Sequence, residues 1–486
     1  MKRLVSAVSI VSLAALASGC ALQPAYERPA DAAPAAWPAG PAYAVPDAPG
    51  TTPAADTGWQ DFLADARLRQ LVGIALANNQ DLQVALLRVS QARTALQLQR
   101  SAALPQVGVE ASGTRGRSAG GATTRSNFAG LAASWEIDLF GRLQSLTDAA
   151  REQYLASAHG RQAAHILLVA QVAEQYLAML AYGEQLAVTD ETLAAARESY
   201  RIVKLQFDTG TVSELDETLA RGNVEQAAAN HAAQQRLRAQ AENALVLLLG
   251  QPLPPATAPD TPLDRQPILA AQFPAIPAGL PSELLLRRPD VQQAEALLRA
   301  EYANIGAARA AFFPNIGLTA SAGTASAALG QLFEAGTGVW SFAPSVLLPL
   351  FDGGARQASL DSARIARDIA VAQYRRTVQA AFREVADGLA ARGTYDTELA
   401  ARQRDVAAQQ RRLELAELLY SSGTGDYLGV LTAKTDLYNA RVSLIAARQN
   451  QLAALVGLYR ALGGGWLENS GDTPAQADNG VAVPAS

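Results

Sequence analysis

The 486-residue chain holds one cysteine, three histidines and two methionines, and aromatics make up only 6% of it. A lone cysteine excludes an intramolecular disulfide framework. His159, His165 and His231 share no ligand-like spacing with one another or with Cys20, so no metal site is expected. No glycine-rich phosphate loop followed by Lys and Ser or Thr is present, which leaves nucleotide hydrolysis without a seat. Lys plus Arg number 40 against 45 Asp plus Glu, and the resulting charge of -5 asks for no nucleic-acid partner. Beyond the leader no run of 18 apolar residues occurs, so a bundle of membrane-spanning helices is not expected and any crossing falls to strands.

The single cysteine lies in "ALASGCALQPAYERP", residues 15–29. Lys2 and Arg3 precede an uncharged run from Leu4 to Leu16, the pattern of an export signal too short to span a bilayer as a helix. Ala17, Ser18 and Gly19 are small, so cleavage before Cys20 would free a thiol for S-diacylglycerol and an amine for an N-acyl chain. Bacterial lipoboxes favour leucine three places before the cysteine; here Ala17 stands there and Leu16 one place further back. Ala21 follows the cysteine, so the aspartate that holds lipoproteins at the inner membrane is absent. The competing reading is a free or buried structural thiol. Residues 1–19 are thus expected to be a signal peptide, and 20–58, rich in Pro, Ala, Gly and Asp, a lipidated extended arm.

The body is written twice. "DLQVALLRVSQARTALQLQRSAALPQVGV" from Asp81 matches "DVQQAEALLRAEYANIGAARAAFFPNIGL" from Asp290, with Pro105 and Pro314 209 residues apart. "WEIDLFGR" around Phe140 answers "LLPLFDGGAR" around Phe351 at an offset of 211; Gly210 pairs with Gly423, and Gly250 with Gly463, at 213. Four matches in one order point to duplication. The first repeat spans 59–250, the second 281–465, with a proline-rich linker 251–280 between them and a tail 466–486 expected to be disordered.

Within each repeat the period changes in the same way. A helical pattern from about Arg67 to Ala103 stops before Pro105, and its counterpart stops at Phe312 before Pro314. Alternating stretches follow at about 105–113 and 128–140 in the first repeat, and 314–323 and 339–351 in the second. Between them lie small, polar hairpin loops, 114–127 and 324–338. Helical patterns then run over 142–206 and 354–420, each roughly 100 Å long at the α-helical rise, followed by helices 213–249 and 426–462. An ordinary coiled-coil scaffold does not account for strands interrupting both halves at the same point.

Strands of this length cross a tilted barrel wall. In the second of them Leu131, Trp135, Ile137 and Leu139 share the face assigned to lipid, while Ser134, Glu136 and Asp138 share the face assigned to a wet lumen. Four strands cannot close a barrel, and open edges cannot persist in hydrocarbon, so neighbouring copies must complete the wall. Three copies would give twelve strands, continued by twelve helical staves in the periplasm. The expected fold is a mixed α+β membrane protein, a trimeric 12-stranded β-barrel continued by a 12-helix α-barrel, with four strands per protomer and internal duplication.

The lipoprotein start "CALQPAYERP" (20–29), the duplicated helix, strand, strand, helix unit, "LLLRRPDVQQAEALLRAEYANIGAARAAFFPNIGL" (284–318) and "LLPLFDGGAR" (347–356) together resemble the TolC-like outer-membrane efflux proteins, in the acylated branch paired with resistance-nodulation-division pumps. The resemblance covers residues 20–465. It implies a non-catalytic homotrimeric tunnel in outer-membrane lipid, reaching into the periplasm and receiving substrates such as drugs from an inner-membrane transporter through a periplasmic adaptor. It also implies closure at the tip "YSSGTGDYLGVLTAKTDLYNAR" (420–441), where relatives carry a leucine and, four residues on, an aspartate. Leu428 matches the leucine, but Thr432 stands at the aspartate position; Asp426 and Asp436 are the nearest substitutes. The implied adaptor contacts are at Gly210, Thr211, Gly423 and Gly425. Protein secretion or metal-ion export is the nearer alternative within transport; a non-conducting lipoprotein scaffold is the alternative of another class.

Overall fold

The computed structural model describes residues 22–30, 34, 36–43, 52–117, 119–254, 268, 273–274, 276–277 and 287–472. Cys20, the leader, most of the 251–280 linker and residues 473–486 lie outside the described residues. The elements are α1 (Trp59–Phe62), α2 (Ala66–Asn78), α3 (Gln80–Ser101), β1 (Gln106–Arg117), β2 (Thr123–Ile137), α4 (Arg142–Asp208), α5 (Glu214–Leu249), α6 (Pro289–Ala310), β3 (Asn315–Ser326), β4 (Gly338–Leu347), α7 (Ala355–Ser421) and α8 (Tyr427–Ala461). The chain divides into two compact units: one of residues 1–31, 87–159 and 292–377, the other of 32–86, 160–291 and 378–486.

The first unit carries a four-stranded antiparallel sheet in the order β1-β2-β3-β4. Its first hairpin is longer than expected, because Thr114 to Arg117 pair with Ser126 to Thr123 instead of looping. Threonine and arginine side chains extend readily from a pleat, so polarity alone does not mark a turn. At the other ends the strands are shorter: β2 stops at Ile137 and β4 at Leu347. Asp138 explains the first stop. It accepts the Arg142 and Gln144 amides at 2.7 Å each and caps α4. Asp352 does the same for α7, accepting the Gly354 and Arg356 amides at 3.1 Å. The two caps are 214 residues apart, close to the offset of the repeats.

The N-terminal arm lies along α6 within this unit. The Leu22 carbonyl accepts from Arg309, and Glu295 accepts from Tyr26, Arg28 and Arg299. A Cβ on Gly306 would stand 3.0 Å from Gln23, so the glycine admits the arm.

In the second unit the helix expected over 67–103 is broken. Asn79 leaves the helical conformation and is buried at 5% exposure; its Oδ1 accepts the Leu82 amide at 2.9 Å while its Nδ2 donates to the Leu248 carbonyl at 3.0 Å. This side chain offers the backbone an alternative to helix. The second repeat has a counterpart 209 residues on. Arg288 Nη1 donates to the Ala461 carbonyl at 2.9 Å, and Nη2 reaches Asp290 at 2.6 Å and Glu384 at 2.9 Å. Gly250 and Gly463, with φ of 68° and 84°, terminate α5 and α8; a Cβ there would meet the Asn78 and Arg287 carbonyl oxygens at 2.5 and 2.9 Å.

Phe62, buried completely, stacks on Tyr459 with centroids 3.9 Å apart, and Tyr459 donates to the Thr57 carbonyl at 2.6 Å. The start of the tail is ordered: Trp59 and Gln60 amides donate to the Leu467 and Glu468 carbonyls, and the Ser470 amide donates to Asp61. Residues 466–472 therefore depart from the expected disorder, because backbone pairing gives them a place. One stretch of α4, interrupted by polar residues, is long and apolar enough by length and composition alone to cross a membrane, but 56% of it is buried. Val172, Ala173, Tyr176 and Leu177 place its apolar side in the core of this unit.

Candidate wall and helical tips

The strand registers sort the sheet into two faces, since directly paired residues point the same way. On one face Val107 and Val109 pair with Ala133 and Leu131, and these pair in turn with Ala320 and Ala322. Trp135 and Ile137 pair with Leu318 and Ile316; across β4 stand Trp340, Phe342, Pro344 and Val346. Every one of these residues is apolar. The opposite face holds Glu110, Ser112, Thr114, Ser134 and Glu136, then Thr319, Ser321, Ser341 and Ser345. Among the described residues nothing covers the apolar face: Val109 is 84% exposed and Trp340 80%. Nor does any described strand pair with the outer edges of β1 and β4.

Two expected wall residues have other work. Glu136 holds Arg142 through both carboxylate oxygens at 2.8 Å, and Asp138 caps α4, so neither is a free lumen charge. Trp135 remains on the apolar face while its Nε1 donates to the Ala103 carbonyl at 3.0 Å. In the middle of the sheet Gly130 pairs with Gly323; a Cβ on either would meet backbone atoms at 2.4 and 2.3 Å. Only glycine fits that approach.

The helical tips of the second unit are built from two copies of one turn. Gly210 and Gly423 have φ of 74° and 75°, and their amides donate to the Phe207 and Tyr420 carbonyls. The next amides, Thr211 and Thr424, reach back to the Gln206 and Leu419 carbonyls. This is the glycine-terminated helix end that satisfies orphan carbonyls. Thr211 adds a hydroxyl bond to the Gln206 carbonyl at 2.8 Å, and a Cβ on Gly425 would press Leu419 at 3.0 Å. Behind the turns Val203, Ala220, Tyr427 and Leu431 form a buried cluster with Tyr200 and Tyr420 packed on it. Tyr427 bonds Ser199 at 2.9 Å and Tyr200 bonds Glu217 at 2.9 Å. Burial pushes the Tyr427 phenol above its ordinary value.

The gate candidates follow one another from the tip, with Leu428, Thr432 and Asp436 at four-residue spacing along one side of α8. Leu428 is 53% exposed, one residue into α8. Asp426 caps that helix, accepting the Gly429 amide at 2.8 Å. Thr432 turns its hydroxyl back to the Leu428 carbonyl at 2.9 Å, and Asp436 is ion-paired with Arg412 of α7. Asn79, Arg288, Glu295 and the tip tyrosines were not singled out from the sequence; the repeat offset of 209 residues joins the first two, but long-range partners carry no local pattern.

Among the described residues no group of three His, Cys, Asp or Glu could hold a metal ion. The sequence profile of the family described as outer membrane efflux protein matches residues 71–251 and 280–464. The chain belongs to that family. The antibiotic efflux pump outer membrane protein ArpC of Pseudomonas putida is 42% identical over 480 residues, covering 97% of this chain and 98% of that protein. The cation efflux system protein CusC of an Escherichia coli O6:H1 strain is 40% identical over 460 residues, covering 93% and 97%. The crystal structure of a membrane protein from Pseudomonas aeruginosa superposes with a TM-score of 0.82 at 40% identity, covering 94% of this chain and all of that one. The protomer fold of efflux proteins, a four-stranded antiparallel sheet with long helices, is the fold of this chain.

Proposed function

We infer that the chain is the outer-membrane channel component of a tripartite efflux system, passing small toxic molecules outward without catalysis. Family membership over nearly the whole chain carries this reading. The two-faced sheet supports it physically: an uncovered apolar face suits lipid, a polar face suits water, and edges without partners require other strands. Three protomers closing a 12-stranded barrel, continued by a 12-helix periplasmic barrel, would meet that requirement. The partners of such a channel are a periplasmic adaptor and an inner-membrane transporter.

Acylation of Cys20 belongs to the same proposal. Docking of Leu22 beside Arg309, near the end of α6, supports an anchor close to the sheet it would share a membrane with. At the tips, Leu428 is the gate residue we favour, because Asp426 and Asp436 are engaged in a cap and an ion pair. Gly210, Thr211, Gly423 and Gly425 are proposed adaptor contacts.

The test is complementation of a strain lacking its own outer-membrane efflux channels, challenged with an antibiotic, toluene and a transition-metal cation. Restored tolerance to the organic compounds supports drug and solvent efflux. Restored tolerance to the metal alone would favour cation export, the activity named for one 40% identical relative. Planar-bilayer recording separates both from an anchored scaffold, which would not conduct.

A further inference from the structure

A cavity of about 320 Å³ lies behind the tips in the second unit, walled by all four helices α4, α5, α7 and α8. On the tip side the helices pack through the cluster of Val203, Ala220, Tyr427 and Leu431 with Tyr200 and Tyr420 against it. At the cavity itself Ala195, Ala196 and Ala227 leave room among longer side chains such as Gln226, Gln410 and Leu413. Tyr438, within 3.4 Å of Thr189, contributes a further large side chain to the wall. The volume falls in the range of small-molecule sites.

The charges on the wall are arranged unequally. Lys434 is 24% exposed while its partner Glu417, at 3.6 Å, is 51% exposed. Arg441 is 38% exposed while Glu191, at 3.3 Å, is 72% exposed. Each cation is thus less exposed than its partner, although Glu191 and Glu417 line the cavity as well. The two pairs are also longer than the 2.7–2.9 Å of a well-made charged hydrogen bond, so neither cation is saturated. Arg441 makes its other contact with the Gln410 amide oxygen at 3.4 Å, again long. Lys434 and Arg441 are seven residues apart on α8, hence on one face and roughly 10 Å apart along the axis.

We propose that this cavity binds a small organic dianion: a flat apolar body against the alanines, with one anionic group at Lys434 and the other at Arg441. A ligand seated there touches both helix pairs and fixes their spacing. Its binding is independent of the channel reading; only an effect on gating rests on it.

Fluorescein, a rigid dianion, serves as the probe, with anisotropy measured on the full chain in mild detergent. Saturable binding is expected, weakened at least tenfold by Lys434→Gln with Arg441→Gln. Filling the cavity from an alanine, Ala195→Leu, should weaken it at least tenfold with both cations intact. The helical circular dichroism melt of each variant identifies a folding failure, and the two variants act through different groups. Anisotropy that does not saturate, or affinity unchanged in both folded variants, overturns the proposal. Loss of channel conductance with fluorescein binding retained would sink the channel reading and leave this one standing.

Discussion

Replacing Glu295 by glutamine should release the N-terminal arm while leaving the helices folded. The Glu295 side chain is 8% exposed and accepts Arg28 at 2.8 Å, Arg299 at 2.8 Å and Tyr26 at 3.0 Å. Arg28 and Arg299 are 40% and 45% exposed, so water compensates part of the loss. Removing the carboxylate charge should therefore cost about 1–3 kcal/mol of arm docking, equivalent to roughly 5- to 150-fold in its opening equilibrium. Hydrogen exchange over 22–30 should quicken by that factor, with the melting temperature of the helices nearly unchanged. The pH dependence has a definite sign. Burial pushes the Glu295 carboxyl up, but hydrogen bonds from Arg28, Arg299 and Tyr26 outweigh it and hold it below its ordinary value. A depressed carboxyl stabilises docking fully above its unfolded pKa, and that contribution is lost as pH falls through the folded one. Exchange over 22–30 that is unchanged by Glu295→Gln would refute the reasoning.

Other perturbations follow from single contacts. Gly130→Val should destabilise the sheet by about 1–3 kcal/mol, read from the melt of its β-sheet circular dichroism, because its side chain would meet the Ala322 carbonyl. Arg288→Ala should cost about 2–4 kcal/mol and Asn79→Ala about 1–2 kcal/mol in chemical denaturation, since the arginine joins two carboxylates and a carbonyl, whereas the asparagine makes a cap and one bond. Burial, then the Arg161 charge, lowers His165 to about 4, and its Nε2 has no partner. The unfolded chain takes up this proton near pH 6.5 and the folded one only near 4, so stability should fall between those values by about 3 kcal/mol, and His165→Met should flatten that slope. Leu428→Ala should raise single-channel open probability; identical recordings would remove Leu428 from the gate.

Much of the protomer was legible because it is written twice and because period reports environment. Pro105 and Pro314 mark where helices give way to strands, and Gly250 and Gly463 where helices end. The pairing of Leu131 with Ala322 and of Trp135 with Leu318 turned one strand's alternation into an apolar face across four. What failed was local polarity used as a sign of function. Thr114 to Arg117 looked like loop and are strand; Glu136 and Asp138 looked like lumen charge and hold Arg142 and the start of α4. Asn79 broke a helix for a carbonyl 169 residues away, and Glu468 found backbone partners near Trp59. Such partners are chosen by tertiary structure, which no window of sequence contains.

The central claim is that the sheet stands in lipid with its apolar face outward and its wall completed by other copies. Spin labels at Val109, Ala320 and Phe342, compared with labels at Ser112, Ser321 and Ser341, test it in reconstituted membranes through relaxation by oxygen and by a water-soluble nickel chelate. The account predicts oxygen-dominated relaxation for the first three and nickel-dominated relaxation for the second. Equal access of the nickel chelate to both sets would contradict it.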